Sequence, residues 1–287
     1  MITADKWRQV RNDLGHDTEP EGQWVTMKVT MGDASHVGHV RTLNEDSFLA
    51  DGNIAVVADG MGGHACGDVA SRLTIEALLP LAQRTSITAA EVEEAIAAAN
   101  EAILDEVRTN PASAGMGTTV AGIALIQHFG NPHWFAFNVG DSRVYRITGT
   151  ATTQITKDHS EVAELVEAGQ ITATEALTHP LRHVVTRSLG TDPMPDIDTW
   201  MFPPHGGDEF VVCSDGLTNE VPDAEIGAIS GRSGSAAQAA QGLVTAALEH
   251  GARDNVTTVV VRVSDPIAED DALVNTTPRK SLLEGSS

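Results

Sequence analysis

Between about residue 25 and residue 264, apolar residues recur in two rhythms. The first is a return every three or four positions. Residues 88–110, "TAAEVEEAIAAANEAILDEVRTN", place Val92, Ile96, Ala99, Ile103 and Val107 on one face of an amphipathic helix, and Pro111 follows its end. Gly67 to Gln83 reads as a helix through Val69, Leu73, Ala77 and Leu78. "SEVAELVEAGQITATEAL" reads as two short helices split by Gly169, and "SAAQAAQGLVTAALEHG" as one helix with Gly251 as its C-cap. The second rhythm is the short dense run rich in Val, Ile, Thr and aromatics. "VTMKVTMGDASHVGHV" predicts one or two strands, and "DSFLADGNIAVVAD" two strands about a tight turn at Asp51-Gly52-Asn53. "TTVAGIALIQ", "HWFAFNVGD", "RVYRIT", "EFVVCSDG" and "NVTTVVVRV" complete the strands. Strand runs alternate with helix pairs without a regular βαβα order. That predicts an α+β fold, antiparallel sheets covered by helices.

Several apolar runs stop at a carboxylate. Asp59 follows "IAVVA", Asp141 follows "FAFNVG" and Asp215 follows "FVVCS"; Asp254 precedes "NVTTVVVRV", and Glu45 and Asp46 precede "SFLA". One Asp beside a Gly is an ordinary turn. Five such places differ, because strands of one sheet system end at common rims, where their carboxylates converge and repel unless a cation lies between them. Oxygen donors alone select hard divalent ions, Mg²⁺ or Mn²⁺.

Other chemistries fit less well. Gly60, Gly62 and Ala65 match a dinucleotide-binding G-x-G-x-x-A pattern, but Asp59 would repel a pyrophosphate and the acid expected about 20 residues on is missing. "HPLRH" spaces His179 and His183 four apart with Pro180 between them and no zinc-type Glu. No P-loop or EF-hand loop occurs. Cys66 and Cys213 form no CxxC pair and read as small buried residues in a reducing compartment.

The formal net charge of −22 repels nucleic acid and anionic membranes, so neither is an expected partner. No apolar run reaches the roughly 18 residues of a membrane span, and the N-terminus lacks a signal-peptide core. The reading is a cytoplasmic protein acting as a monomer. Residues 1–24 read as an N-terminal extension, 25–264 as the functional domain and 265–287 as an acidic and polar, disordered tail.

In order, "RTLNEDSF", "VVADGMGGHACGDVAS", "GTTV", "NVGDSRVYRI", "TKDHS", "THPLRHVVTRSLG", "CSDGL" and "ARDNVTTVVV" resemble the bacterial branch of the metal-dependent serine/threonine protein phosphatases, type 2C. The resemblance runs from about Thr30 to Val263. It implies two packed antiparallel sheets flanked by helices, with a cleft at one end that holds two Mn²⁺ or Mg²⁺ ions and a water between them that hydrolyses phosphoserine and phosphothreonine in proteins. It implies that Asp59 bridges both ions, that the Gly60 carbonyl joins them, and that Asp215 and Asp254 complete the first ion's shell. Glu45 would serve the second ion with Asp46 in support, Asp141 a third, weaker ion, and Arg41 the substrate phosphate. Some members place a general-acid His directly after the Asp-Gly; here Met61 stands there and His64 is three residues on. Thr178 lies in the flap, roughly residues 158–190, where some members add a ligand. The implied partners are phosphorylated proteins and bacterial-type Ser/Thr kinases whose signals the enzyme reverses. The competing readings are a non-catalytic phosphoprotein-binding module of the same fold and a phosphatase of one small phosphorylated regulator.

Overall fold

The computed structural model describes residues 28–62 and 66–264. The expected N-terminal extension, the tail and His64 lie outside the described residues.

Two antiparallel sheets form the centre. One has the order β1 (Lys28–His36), β11 (Val256–Ser264), β10 (Glu209–Cys213), β7 (Arg143–Thr148), β8 (Ala151–Gln154). The other has the order β2 (Asp46–Asp51), β3 (Ile54–Met61), β5 (Val120–His128), β6 (Asn131–Val139), β9 (Asp198–Phe202), with the two-residue β4 (Gly117–Thr118) also on β3. Helices α1 (Gly67–Ala82) and α2 (Ala89–Thr109) cover the second sheet, and α6 (Asp223–Arg232) and α7 (Ala236–His250) cover the first. The short α3 (Glu161–Glu167) and α4 (Ala173–Ala176) form the flap, and α5 (Asp215–Thr218) follows β10 directly.

The dense apolar runs are explained by burial on both faces of each sheet. In β3, Ala55 and Val57 face the other sheet while Ile54 and Val56 face α1 and α2. In β11, Val259, Val261 and Val263 pack between the sheets while Val256 and Val260 pack under α7. Trp134, Phe210 and Val212 fill the inter-sheet layer, each side chain contributing about 1.5–3 kcal/mol of transfer free energy. A reciprocal cap starts α2: the Thr88 hydroxyl accepts from the Glu91 amide, and the Glu91 carboxylate accepts from the Thr88 amide.

The structure adds β4, β8, β9, α5 and α6 to the elements read from sequence, and it corrects two boundaries. β10 stops at Cys213, so that Asp215 and Gly216 of "EFVVCSDG" lie in α5. β3 continues through Asp59 to Met61, so Asp59 lies inside a strand rather than ending it. β1, β3, β6 and β10 end at one rim of the sandwich, where β2, β5, β7 and β11 begin. All of the strand-end acids sit at that rim.

Candidate active site

Register places the first pair. Asp46 and Asp59 stand directly opposite each other on β2 and β3. Asp59 is fixed through its backbone: its amide donates to Thr119 Oγ1 (3.0 Å), and its carbonyl accepts from the Thr118 hydroxyl (2.9 Å) and the Thr119 amide (2.9 Å). These are the threonines of "GTTV". Thr119 Oγ1 in turn meets Ser142 Oγ at 2.7 Å, beside Asp141. Next to Asp59, the Gly60 amide donates to the Glu45 carbonyl, and a Cβ at Gly60 would lie 2.2 Å from the Gly67 carbonyl and 2.5 Å from that of Glu45. Only glycine lets three backbone segments meet there.

Asp215 enters as the first residue of α5, and Asp254 lies two residues before β11. The Asp59 and Asp215 carboxyl groups are near enough to share a proton. Burial, and then the charges of Asp46, Asp215, Asp141 and Asp254, push the Asp59 carboxyl well above the usual carboxylate range. Burial pushes Asp46 up to about 7, with Asp215 and Asp254 adding to it. Asp141 is pushed up to about 8 by burial and then by Asp215 and Asp158. Burial and then Asp254 raise Asp215 as well. The five aspartates therefore feel one another within one pocket of negative charge.

Four of the acids turn to a local donor. Asp46 Oδ2 accepts from Ser214 Oγ (2.8 Å), and Asp215 Oδ2 from Asn219 Nδ2 (3.0 Å). Asp254 pairs with Arg41 at 2.8 Å, and Glu45 Oε1 caps α1 by accepting from the Gly67 amide at 3.1 Å. As they stand, no three His, Cys, Asp or Glu side chains among the described residues are gathered closely enough to enclose an ion. The donor set nevertheless fits one. Asp46 Oδ1 is buried without a hydrogen-bond partner, the neighbouring carboxyls carry raised proton affinities, and every donor is a hard oxygen. A divalent cation would take the place of protons held by these carboxyls.

Arg41 is half exposed beside Asp254, with Glu45 and Asp59 also raising its proton affinity after the Asp254 hydrogen bond. A guanidinium at the mouth of an acidic pocket suits a phosphate, whose oxygens match its planar fork. Thr178 follows α4 on the exposed flap, and no hydrogen bond among the described residues joins it to the carboxylates. Two flap residues act on the acids electrostatically: Asp158 raises Asp141, and His183 lowers Asp215. Ser214, Asn219 and Asn255 also support the site without having been singled out by sequence; Ser214 and Asn255 carried a signal, as the neighbours of Asp215 in "CSDGL" and of Asp254 in "ARDNVTTVVV". Cys213 is wholly buried and its thiol is pushed up to about 12, which removes it as a nucleophile.

Known proteins resemble the chain in sequence and in fold. A family profile described as Protein phosphatase 2C matches residues 34–249. Over 235 residues the chain is 35% identical to the serine/threonine phosphatase stp of Listeria innocua serovar 6a, covering 78% of this chain and 92% of that one. Over 244 residues it is 38% identical to the serine/threonine protein phosphatase PstP of Mycobacterium tuberculosis, covering 84% of this chain and 46% of that protein. The crystal structure of the PstP catalytic domain in complex with two manganese ions superposes with a TM-score of 0.75 at 37% identity, covering 84% of this chain and all of that domain. A match across most of the chain, in sequence and in fold, makes it a member of the protein phosphatase 2C family.

Proposed function

We propose that this chain hydrolyses phosphoserine and phosphothreonine esters in proteins with two divalent ions, Mn²⁺ or Mg²⁺, and that residues 25–264 form the catalytic domain. The observation that carries the reading is the convergence of Asp46, Asp59, Asp141, Asp215 and Asp254 on one rim, beside an exposed Arg41. Asp59, Asp215, Asp254, Glu45 and the Gly60 carbonyl would hold the ion pair, with Asp46 in support, and Asp141 with Asp215 a third ion. When bound, such ions supply a nucleophile at neutral pH and stabilise charge on the phosphoryl oxygens.

The chain's own residues supply the rest. Arg41 binds and orients the phosphate while its contact with Asp254 holds the fork at the mouth of the pocket. Thr118 and Thr119 fix the Asp59 backbone, so that its carboxylate is held in place before substrate arrives. The rigid strand rim keeps the acids together against their repulsion. With Cys213 held protonated, its thiol offers no competing nucleophile.

The reading extends to signal reversal in the cytoplasm, with kinase-phosphorylated proteins as substrates and a monomer as the working unit. No helix among the described residues is long and apolar enough to cross a membrane. A purely binding role would be favoured by lost acids, and every acid of the set stands here. The test is hydrolysis of a phosphothreonine peptide with Mn²⁺ and with EDTA, beside Asp59→Asn. Metal-dependent turnover that the variant abolishes supports the reading; wild-type protein that binds Mn²⁺ but turns nothing over contradicts it.

A further inference from the structure

The loop between β1 and β2, residues 37–45, carries both Arg41 and Glu45 yet has almost no secondary structure of its own. One side chain holds it at three backbone atoms. The amide of Asn255, which is buried, uses both of its ends on this loop: Nδ2 donates to the Val37 carbonyl (3.0 Å) and the Leu43 carbonyl (2.9 Å), and Oδ1 accepts from the Glu45 amide (2.9 Å). The three contacts bracket Arg41 on both sides in sequence. Asn255 itself follows Asp254, whose Oδ1 accepts from the Asn255 amide at 2.8 Å and whose Oδ2 takes Arg41. The backbones are also fitted together. The His39 amide donates to the Ala252 carbonyl at 2.8 Å, and a Cβ at Gly38 (φ +79°) would stand 2.2 Å from the Asp254 carbonyl.

We infer that Asn255 is a positioning residue for the phosphate-binding Arg41 and for Glu45, locking the 37–45 loop to the strand start that bears Asp254. This rests on the proposed role of Arg41 and deepens it. Two loop carbonyls and one loop amide are satisfied by a single planar group whose donors and acceptor lie at opposite ends. A hydroxyl could serve only part of this pattern, and a carboxylate would face the Val37 and Leu43 carbonyls without protons to offer. The same clamp sets the spacing between the guanidinium and the acids. Loosening it therefore weakens phosphate binding more than it weakens the fold.

The test compares Asn255→Ala with wild type and with Asp208→Ala, a destabilised control altered at the opposite rim; Asn255→Ser replaces the alanine variant if that one does not fold. Two readouts are taken: backbone amide exchange of the segment 37–45, and the affinity of Mn²⁺-loaded protein for inorganic phosphate by calorimetry. The expected result is exchange in that segment and a phosphate dissociation constant both raised about tenfold, the scale of losing two or three hydrogen bonds, with neither change in the control. Unchanged exchange overturns the clamp. Faster exchange with unaltered phosphate affinity overturns the positioning role, as does an equal loss of affinity in Asp208→Ala. The exchange result stands even if wild-type protein has no phosphatase activity, so a failure of the clamp is distinguishable from a failure of the functional reading.

Discussion

Strand β10 has an acid beyond each end, Asp208 buried and Asp215 half-buried, and the two ends are built on opposite rules. Before it, the Asp208 carboxylate accepts from Trp134 Nε1 (3.0 Å) and the His205 amide (2.7 Å) and pairs with Arg146 at 2.6 Å. Every charge there has a partner of opposite sign or a donor. After it, Asp215 faces Asp254, Asp59 and Asp46, and Asp46 keeps one oxygen buried and unpartnered. The first end is a structural pin, built for stability. The second holds like charges together against their repulsion, which the fold sustains through the strands and threonines that fix them. Such local conflict inside a well-packed frame is where function is to be sought.

Altering the conflicted end should separate activity from stability most sharply. Asp59→Asn should lower metal-dependent turnover by at least about 10³-fold while raising the melting temperature of the metal-free protein at high pH, because the amide cannot ionise among the other acids. Activity assays and thermal melts read the two in parallel. Asp208→Ala should do the reverse. It strands Arg146 and the Trp134 N–H, costing about 3–5 kcal/mol in denaturant unfolding, with turnover unchanged well below the melting temperature. Between these extremes, Arg41→Lys keeps the charge but loses the fork, and steady-state kinetics should give a KM about tenfold higher with kcat little altered.

A further effect is a slope with pH. The Asp46 and Asp141 carboxyls are raised from 3.8 to about 7 and about 8. Between the ordinary and the raised values the folded chain holds protons that the unfolded chain has released. Stability of the metal-free protein is therefore fully supported below about pH 4 by these groups and falls as pH rises toward 8. Each group contributes at most about 1.4 kcal/mol per pH unit, and Asp141→Asn should flatten the trend in melts from pH 5 to 8.

Much of this was legible in the chain. The acids announced themselves because each interrupts or borders an apolar run, and the resemblance gave their order a meaning. Helix α2 was plain from its period and its Thr88–Glu91 cap. The edge strands β8 and β9 were not, since "ATTQ" and "DTWMF" are only four and five residues long and only half-buried. Helix α6, "DAEIGAISGR", carries two glycines and few apolar residues, so its period is faint. Asp59 seemed to end its strand because a charge breaks an apolar run, although strand pairing to Asp46 continues through it. The supports of the site were least visible. Ser214 reaches Asp46 across 168 residues, and Asn255 reaches the 37–45 loop across more than 200, and such partnerships exist only once the sheets are assembled.

The central claim is that the acids at the Asp215 end hold shared protons whose place a divalent cation takes. Calorimetry of Mn²⁺ binding at pH 7, repeated in buffers of different ionisation enthalpy, counts the protons released. The account predicts binding accompanied by release of about one proton or more, and weaker binding with less release in Asp59→Asn. Mn²⁺ binding without proton release, or equal binding by wild type and variant, would contradict it.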